Sequence, residues 1–488
     1  MTFRNLIAAA AAGMLLCSMP VLPAAAVRGE TTTESSTEGT TYEDGMFTFM
    51  HTDGGVELYS VDSSALAVAL PDETDGYKIV GIADGAFYGC TALESVTFGK
   101  YVKYIGQNAF SGCESLRSLT IPDTVTSIGA NAFTGCASLE KLTLPESLEI
   151  IPEGMCYYCT ALSEVNLPDH VKEIGAEAFY SCMSLPDPVL PEGLEKIGDY
   201  AFAFCSAIDK AELPSTVEQI GSAVYCGCES IQEFEVPAAM TDMGSLTFLG
   251  CRGMTAYTVE DGNTVYSAQD GVLFKDGGTI LAAYPAGKAD TSYTIPEGVT
   301  TVFDAAFFYA SNLAEIQFPS TLQYIGAGAF EYCTGLKSVE LPEGTLILYE
   351  NAFADCTALR SVKLPSTLTG VGNYAFYACT SLKEITVPSG CRTIGQYAFG
   401  YTDGTETGED GNPVPVKIEG FRQKGGGSFD WLTLVWIIAG IIAAVVIVIL
   451  LVRVIRKNQM TPEEQEAVAV SGEDAYEGIT EDEDEESK

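Results

Sequence analysis

Fifteen cysteines, two histidines and a large excess of carboxylates are the groups in this chain that could do chemistry. Eleven of the cysteines form one series, Cys90, Cys113, Cys136 and onward to Cys379, each three residues after a recurring aromatic position. In an oxidising compartment so many cysteines would suggest disulfides. A series of equivalent positions opposes that reading, because in-register neighbours hold parallel Cβ atoms ~4.8 Å apart where a disulfide prefers ~3.8 Å. The series reads instead as small buried thiols packed inside a turn, with disulfides and metal binding as the weaker alternatives. Cys156 and Cys159 form a C-x-x-C string, but Cys156 stands at the recurring aromatic position, and no second pair or histidine lies at zinc-ligand spacing. No metal or other cofactor is expected. His51 and His170 have no visible partner and no G-x-S-x-G string beside them. Glycosidase chemistry needs two carboxylates across a cleft, and carboxylate pairs say little in a chain with Asp+Glu 66 against Lys+Arg 25. The net charge of −41 also disfavours nucleic acid and anionic membrane surfaces as partners. The chain is expected to bind rather than catalyse.

The element that positions the cysteines is a 23-residue repeat. Pairs of a small residue plus Phe place Phe87, Phe110, Phe133, Phe179, Phe202 and Phe248 at that spacing or a multiple of it, with Cys156 and Tyr225 in the missing places. The series resumes at Phe307 and runs to Phe399, so that thirteen turns are visible. In the unit 105–127, Leu116, Leu119 and Ile121 give L-x-x-L-x-I, a short strand with Leu119 and Ile121 inward, which Pro122 ends. Val125, Ile128 and Phe133 then return the chain along a second wall through a turn at Gly129. One coil cannot bury these faces alone. Stacked coils can, each strand pairing with its equivalent, and the fold class is therefore a repeat solenoid with short parallel strands and 23-residue coils.

The 23-residue register, the A-F-x-x-C turn, the L-x-x-V-x-I-P strand and the I-G return resemble the BspA-type leucine-rich-repeat family of microbial surface proteins, over residues 46–401. By that resemblance residues 47–81 form an N-terminal cap, and the role is that of an adhesin or host-contact protein. The periodicity itself implies only the fold. One interval is 59 residues long, and the extra chain at 260–295 carries strand and turn signals around Asp270, Gly271 and 276–278. It reads as a structural hairpin joining two blocks or as a ligand-contact element.

The ends place the solenoid. Arg4, an apolar run over 6–19 and Ala24, Ala25 and Ala26 read as a signal peptide, 1–26. Leu16 before Cys17 speaks against lipidation there. Residues 431–452 carry no charge, with Trp431 and Trp436 near one end and Arg453, Arg456 and Lys457 beyond the other, which predicts one transmembrane helix. The stretches 27–45 and 402–430 read as flexible linkers. The tail 453–488, with twelve acidic residues from Glu463 to Glu486, reads as a disordered cytoplasmic segment. The expected location is the cell membrane, single-pass, with the repeats extracellular.

Outward positions flanking the inward Val or Leu of each strand supply the candidate contact residues: Glu164, Asp187, Glu212, Glu233 and Glu235, a mostly acidic strip. The expected partner is an extracellular protein or glycan on a host or neighbouring cell. The competing function is a structural envelope or spacer solenoid with no specific ligand.

Overall fold

The computed structural model describes residues 39–400 and the strand Lys417–Glu419. The chain divides into two units, residues 1–421 and 422–488, and everything described belongs to the first. The signal peptide 1–26, the membrane segment 431–452, the tail 453–488 and most of both linkers lie outside the described residues. Among the described residues no helix is long and apolar enough to cross a membrane.

Most coils carry two parallel strands. In the coil 105–127, Ser118–Thr120 pairs with Lys141–Thr143, placing Leu119 against Leu142, and Ser127–Ile128 pairs with Tyr104–Ile105. The inward residues Leu116, Leu119, Ile121, Val125 and Phe133 are all buried, as the period-2 and return patterns require. The return strand ends in Gly129, where the coils come closest: a Cβ there would lie 2.4 Å from the Gln107 nitrogen of the preceding coil.

The A-F-x-x-C turn is built from two left-handed residues, Asn108 and Gly112 in the coil of Phe110, which aim three alternate N–H groups at the next coil. Asn108, Phe110 and Gly112 donate to the carbonyls of Ala130, Ala132 and Thr134 at 3.0, 2.7 and 2.8 Å. The aromatic rings stack at the same interval. Phe307, Phe330, Phe353 and Phe376 follow one another at centroid distances of 4.6, 4.9 and 5.3 Å, with their ring planes nearly parallel.

The structure explains the cysteine series. The Cys113 thiol donates to the carbonyl of Phe87 at 3.3 Å, Cys136 to Phe110 at 3.2 Å, and Cys379 to Phe353 at 3.1 Å. Each of these thiols ties its turn to the ring position of the coil before, a bond no other small apolar residue could make, and Cys182 does the same to Cys156, which stands at that position. All described cysteines are free and buried. Burial pushes the Cys90 thiol up to about 11 and Cys205 up to about 12, away from the reactive thiolate. The column cysteines should therefore resist alkylation in the folded chain and label fully in denaturant without reductant. Mass spectrometry that found most of them in disulfides would overturn this.

The solenoid has about fifteen turns rather than the thirteen visible in the repeat. It also takes in more chain at each end. Thr41–Asp44, inside the stretch read as linker 27–45, pairs antiparallel with Phe47–Thr52, and Tyr42 lies 5.8 Å from Phe49. Lys417–Glu419, inside the stretch read as linker 402–430, pairs parallel with Glu384–Thr386. At the N-terminus the strands Thr41–Asp44, Phe47–Thr52 and Gly55–Val61 form an antiparallel meander that roofs the first coil, with Phe49, Val56 and Leu58 buried beneath it.

The extra chain at 260–295 is built the same way. Tyr266–Gln269, Val272–Lys275 and Ile280–Ala283 form a second antiparallel meander, and Ile280–Ala283 then pairs parallel with Thr301–Val302. Tyr284 stands 23 residues before Phe307 and stacks on it at 4.8 Å, so the later part of this stretch is a coil rather than a projecting hairpin. The meander separates two hydrophobic cores. Leu273 belongs to the core of the first block, while Val272 and Phe274 belong to the second, as strand alternation dictates. Its removal would unroof the second block.

Candidate functional site

The strand wall that carries the candidate residues is not continuous. One sheet runs from Ser118–Thr120 through Lys141–Thr143 to Glu164–Val165, and the next begins at Glu233–Val236 paired with Ala256–Val259. The two coils between have no strand on this wall. The cause is local: Pro186 and Pro188 flank Asp187 and remove two of the N–H donors a ladder needs.

Side chains take over where the ladder fails. The Asp187 carboxylate accepts from the N–H groups of Asp209 and Lys210 at 3.1 and 3.0 Å. Burial alone would raise its pKa, but the Lys210 N–H, the Asp209 side chain and further main-chain donors together hold it below the ordinary carboxylate value. The neighbouring Asp209, hydrogen-bonded to Asp187, is raised in turn. One coil earlier, the Asn166 amide accepts from the N–H of Leu144 at 2.7 Å and donates to its carbonyl at 3.1 Å. Val189, between the two breaks, is 87% exposed.

The five sequence candidates fall into two groups. Glu212, Glu233 and Glu235 line one open depression together with Asp209, Lys210 and Glu260. Asp187 and Glu212 border the adjoining one, with Val189 and Leu213. A third depression joins Glu164 to Asp187. The strip therefore runs through contiguous hollows, and its charge is mostly rather than wholly acidic. Glu164 is paired with Lys141 of the neighbouring strand, and Lys210 sits among the other carboxylates. Asp187 is committed to main-chain bonds, which makes it a support for the wall as much as a contact. Sequence reasoning missed Glu260, whose carboxylate accepts from the N–H of Ala238 at 2.8 Å and closes the hollow on its far side.

Neither histidine lines these hollows. His51 lies in the N-terminal meander with its ring 4.8 Å from that of Tyr77, and His170 is exposed in a turn. Among the described residues, no group of three or more His, Cys, Asp or Glu is placed to hold a metal ion.

A coil of this geometry has known relatives. The chain is similar to a leucine rich cell surface protein from Faecalibacterium prausnitzii A2-165, with 27% identity over 73% of this chain and 94% of that one and a TM-score of 0.55. A leucine-rich repeat protein from Bacteroides ovatus matches at 23% identity over 72% of this chain and 99% of that one, TM-score 0.44. The pneumococcal vaccine antigen PcpA matches at 20% over 74% and 79% of the two chains, TM-score 0.37. No curated protein matches. The sequence model of the BspA type Leucine rich repeat region matches residues 80–185, 150–270 and 286–406, more than half of the chain. With the stacked coils, the aromatic column and this match in agreement, the chain belongs to the BspA type leucine-rich-repeat family.

Proposed function

We propose that this is a membrane-anchored cell-surface protein whose strand wall binds an extracellular protein or glycan on host or neighbouring cells. Residues 1–26 deliver the solenoid outside, and the helix expected at 431–452 holds it there. The similar protein from Faecalibacterium prausnitzii is named a cell surface protein, which supports the location.

The observation that carries the binding role is the hollow lined by Glu212, Glu233, Glu235 and Glu260, set where the sheet breaks and adjoined by further hollows on the same wall. Exposed carboxylates at Glu212, Glu233 and Glu235, with only Lys210 among them, select a basic or cation-bridged partner. Attachment of that kind weakens as salt rises through the physiological range, where the screening length is about 8 Å.

The test is to change Glu212, Glu233 and Glu235 to Lys in the full chain, confirm the fold by circular dichroism, and measure attachment to a panel of matrix proteins, mucins and neighbouring cells. Attachment should fall at least about tenfold, and the salt dependence should reverse. Attachment that is unchanged in both respects would remove the wall as the site.

A further inference from the structure

The turn ladder stops at the boundary between the two blocks. In each coil from Phe87 to Tyr225, the column residue and the residues two before and two after it donate their N–H groups to the next coil. Leu246, Phe248 and Gly250 hold the same three positions, and among the described residues their N–H groups donate to nothing. The ring column is interrupted at the same place. The position 23 residues after Phe248 is Gly271 in the meander, and the next column ring is Tyr284. Phe248 stacks on Tyr225 at 5.7 Å on one side only and is half-buried, where Phe110, Phe202 and Phe330 are fully buried.

The missing turn leaves a crevice of about 270 Å³ lined by Leu246, Phe248, Tyr257, Tyr266, Tyr284 and Phe308. Its volume falls below the ~300–1,000 Å³ of sites for drug-sized ligands and suits a single ring. Leu246 and Leu249 pack with Phe308 beside it, and the Arg252 guanidinium lies 4.5 Å from the Tyr309 ring, so both blocks form its walls.

The unanswered groups are three donors at alternate residues. In the coils before, such a set is answered by three main-chain carbonyls at alternate residues of a segment that carries an aromatic ring between them, as Ala130, Ala132 and Thr134 flank Phe133. Main-chain carbonyls at alternate residues match that spacing directly. We propose that the crevice binds a peptide segment with an aromatic residue between small ones, as a guest turn. Its ring enters between Phe248 and Tyr284, and its carbonyls accept from Leu246, Phe248 and Gly250. This site is separate from the acidic strand wall and independent of it.

The experiment titrates the full-length chain against a dye-labelled peptide GSAFSGS and its counterpart GSAASGS, read by fluorescence anisotropy and by amide hydrogen exchange. The first peptide should bind saturably and slow exchange within residues 245–251, and the second should bind at least about tenfold more weakly. Ser245→Trp, which fills the crevice, should weaken the first peptide as much while circular dichroism stays unchanged. Should that variant misfold, Ala286→Leu serves in its place. Absence of saturable binding, equal binding of the two peptides, or slowed exchange only outside 245–251 would overturn the proposal.

Discussion

Phe330→Ala should destabilise the second block by about 3 to 5 kcal/mol while leaving the first nearly intact. The Phe330 ring is fully buried, stacked on Phe307 at 4.6 Å and on Phe353 at 4.9 Å, with Phe318 edge-on at 5.8 Å. Alanine would remove the ring and leave a cavity that neighbours on both sides cannot fill without giving up their own stacking. Damage should be concentrated in the second block, since coils touch only their neighbours and the two blocks meet at one boundary, through alternate faces of Val272–Lys275 and the packing of Leu246 and Leu249 on Phe308. Hydrogen exchange would measure this. Protection should fall across 280–400 and persist across 41–260. Uniform loss across both would mean that the meander does not separate the cores.

The second large effect is expected from the smallest side-chain change. Gly129→Ala should cost about 1 to 3 kcal/mol or more, because the added Cβ would lie 2.4 Å from the Gln107 nitrogen and 2.6 Å from the Gly106 carbonyl carbon. Both are main-chain atoms of a packed coil and cannot turn aside as a side chain can. Gly135 offers the control. A Cβ there would meet nothing nearer than 3.8 Å, but its φ of +72° strains any other residue, so Gly135→Ala should cost only about 1 kcal/mol. Urea denaturation of the two variants compares them directly, and equal shifts would count against close approach as the reason for the I-G pair.

Much of this fold was legible in the sequence because one physical constraint repeats. A ring every 23 residues and an alternating strand can be satisfied together only by stacking, so Phe87 to Phe399 announce the coils. The coil of Tyr284 was not seen because Tyr replaces Phe in the pair Ala283-Tyr284 and Gly287 stands where the cysteine would be. A usable signal did exist. Asp44-Gly45 and Asp53-Gly54-Gly55 in the N-terminal meander recur as Asp270-Gly271 and Asp276-Gly277-Gly278. The break in the wall was likewise written in Pro186 and Pro188, but the role of Asp187 as a main-chain acceptor depends on where Asp209 and Lys210 fall one coil later. Strand alternation predicts outward side chains at Glu164, Glu212, Glu233 and Glu235, and all four are exposed, whereas the pairing of Glu164 with Lys141 needed the register. The thiol bond from most column cysteines to the carbonyl of the ring position in the coil before has no trace in spacing alone.

The second meander has a bearing on how such a chain reaches its native state. A solenoid with one continuous core leaves a raw edge at whatever coil has last been made, and that edge offers unpaired strands to any neighbouring chain. Here the strand Val272–Lys275 covers the first core with Leu273 before any of the coils from Phe307 onward is needed. In a chain emerging N-terminus first, residues 41–283 hold most of the first core with a roof at each end, and they can close while the remainder is still extended. The second block then nucleates on its own meander rather than on an exposed edge. Length can be added in sealed units, each new unit bringing its own start, without lengthening the stretch that must remain open at any one time.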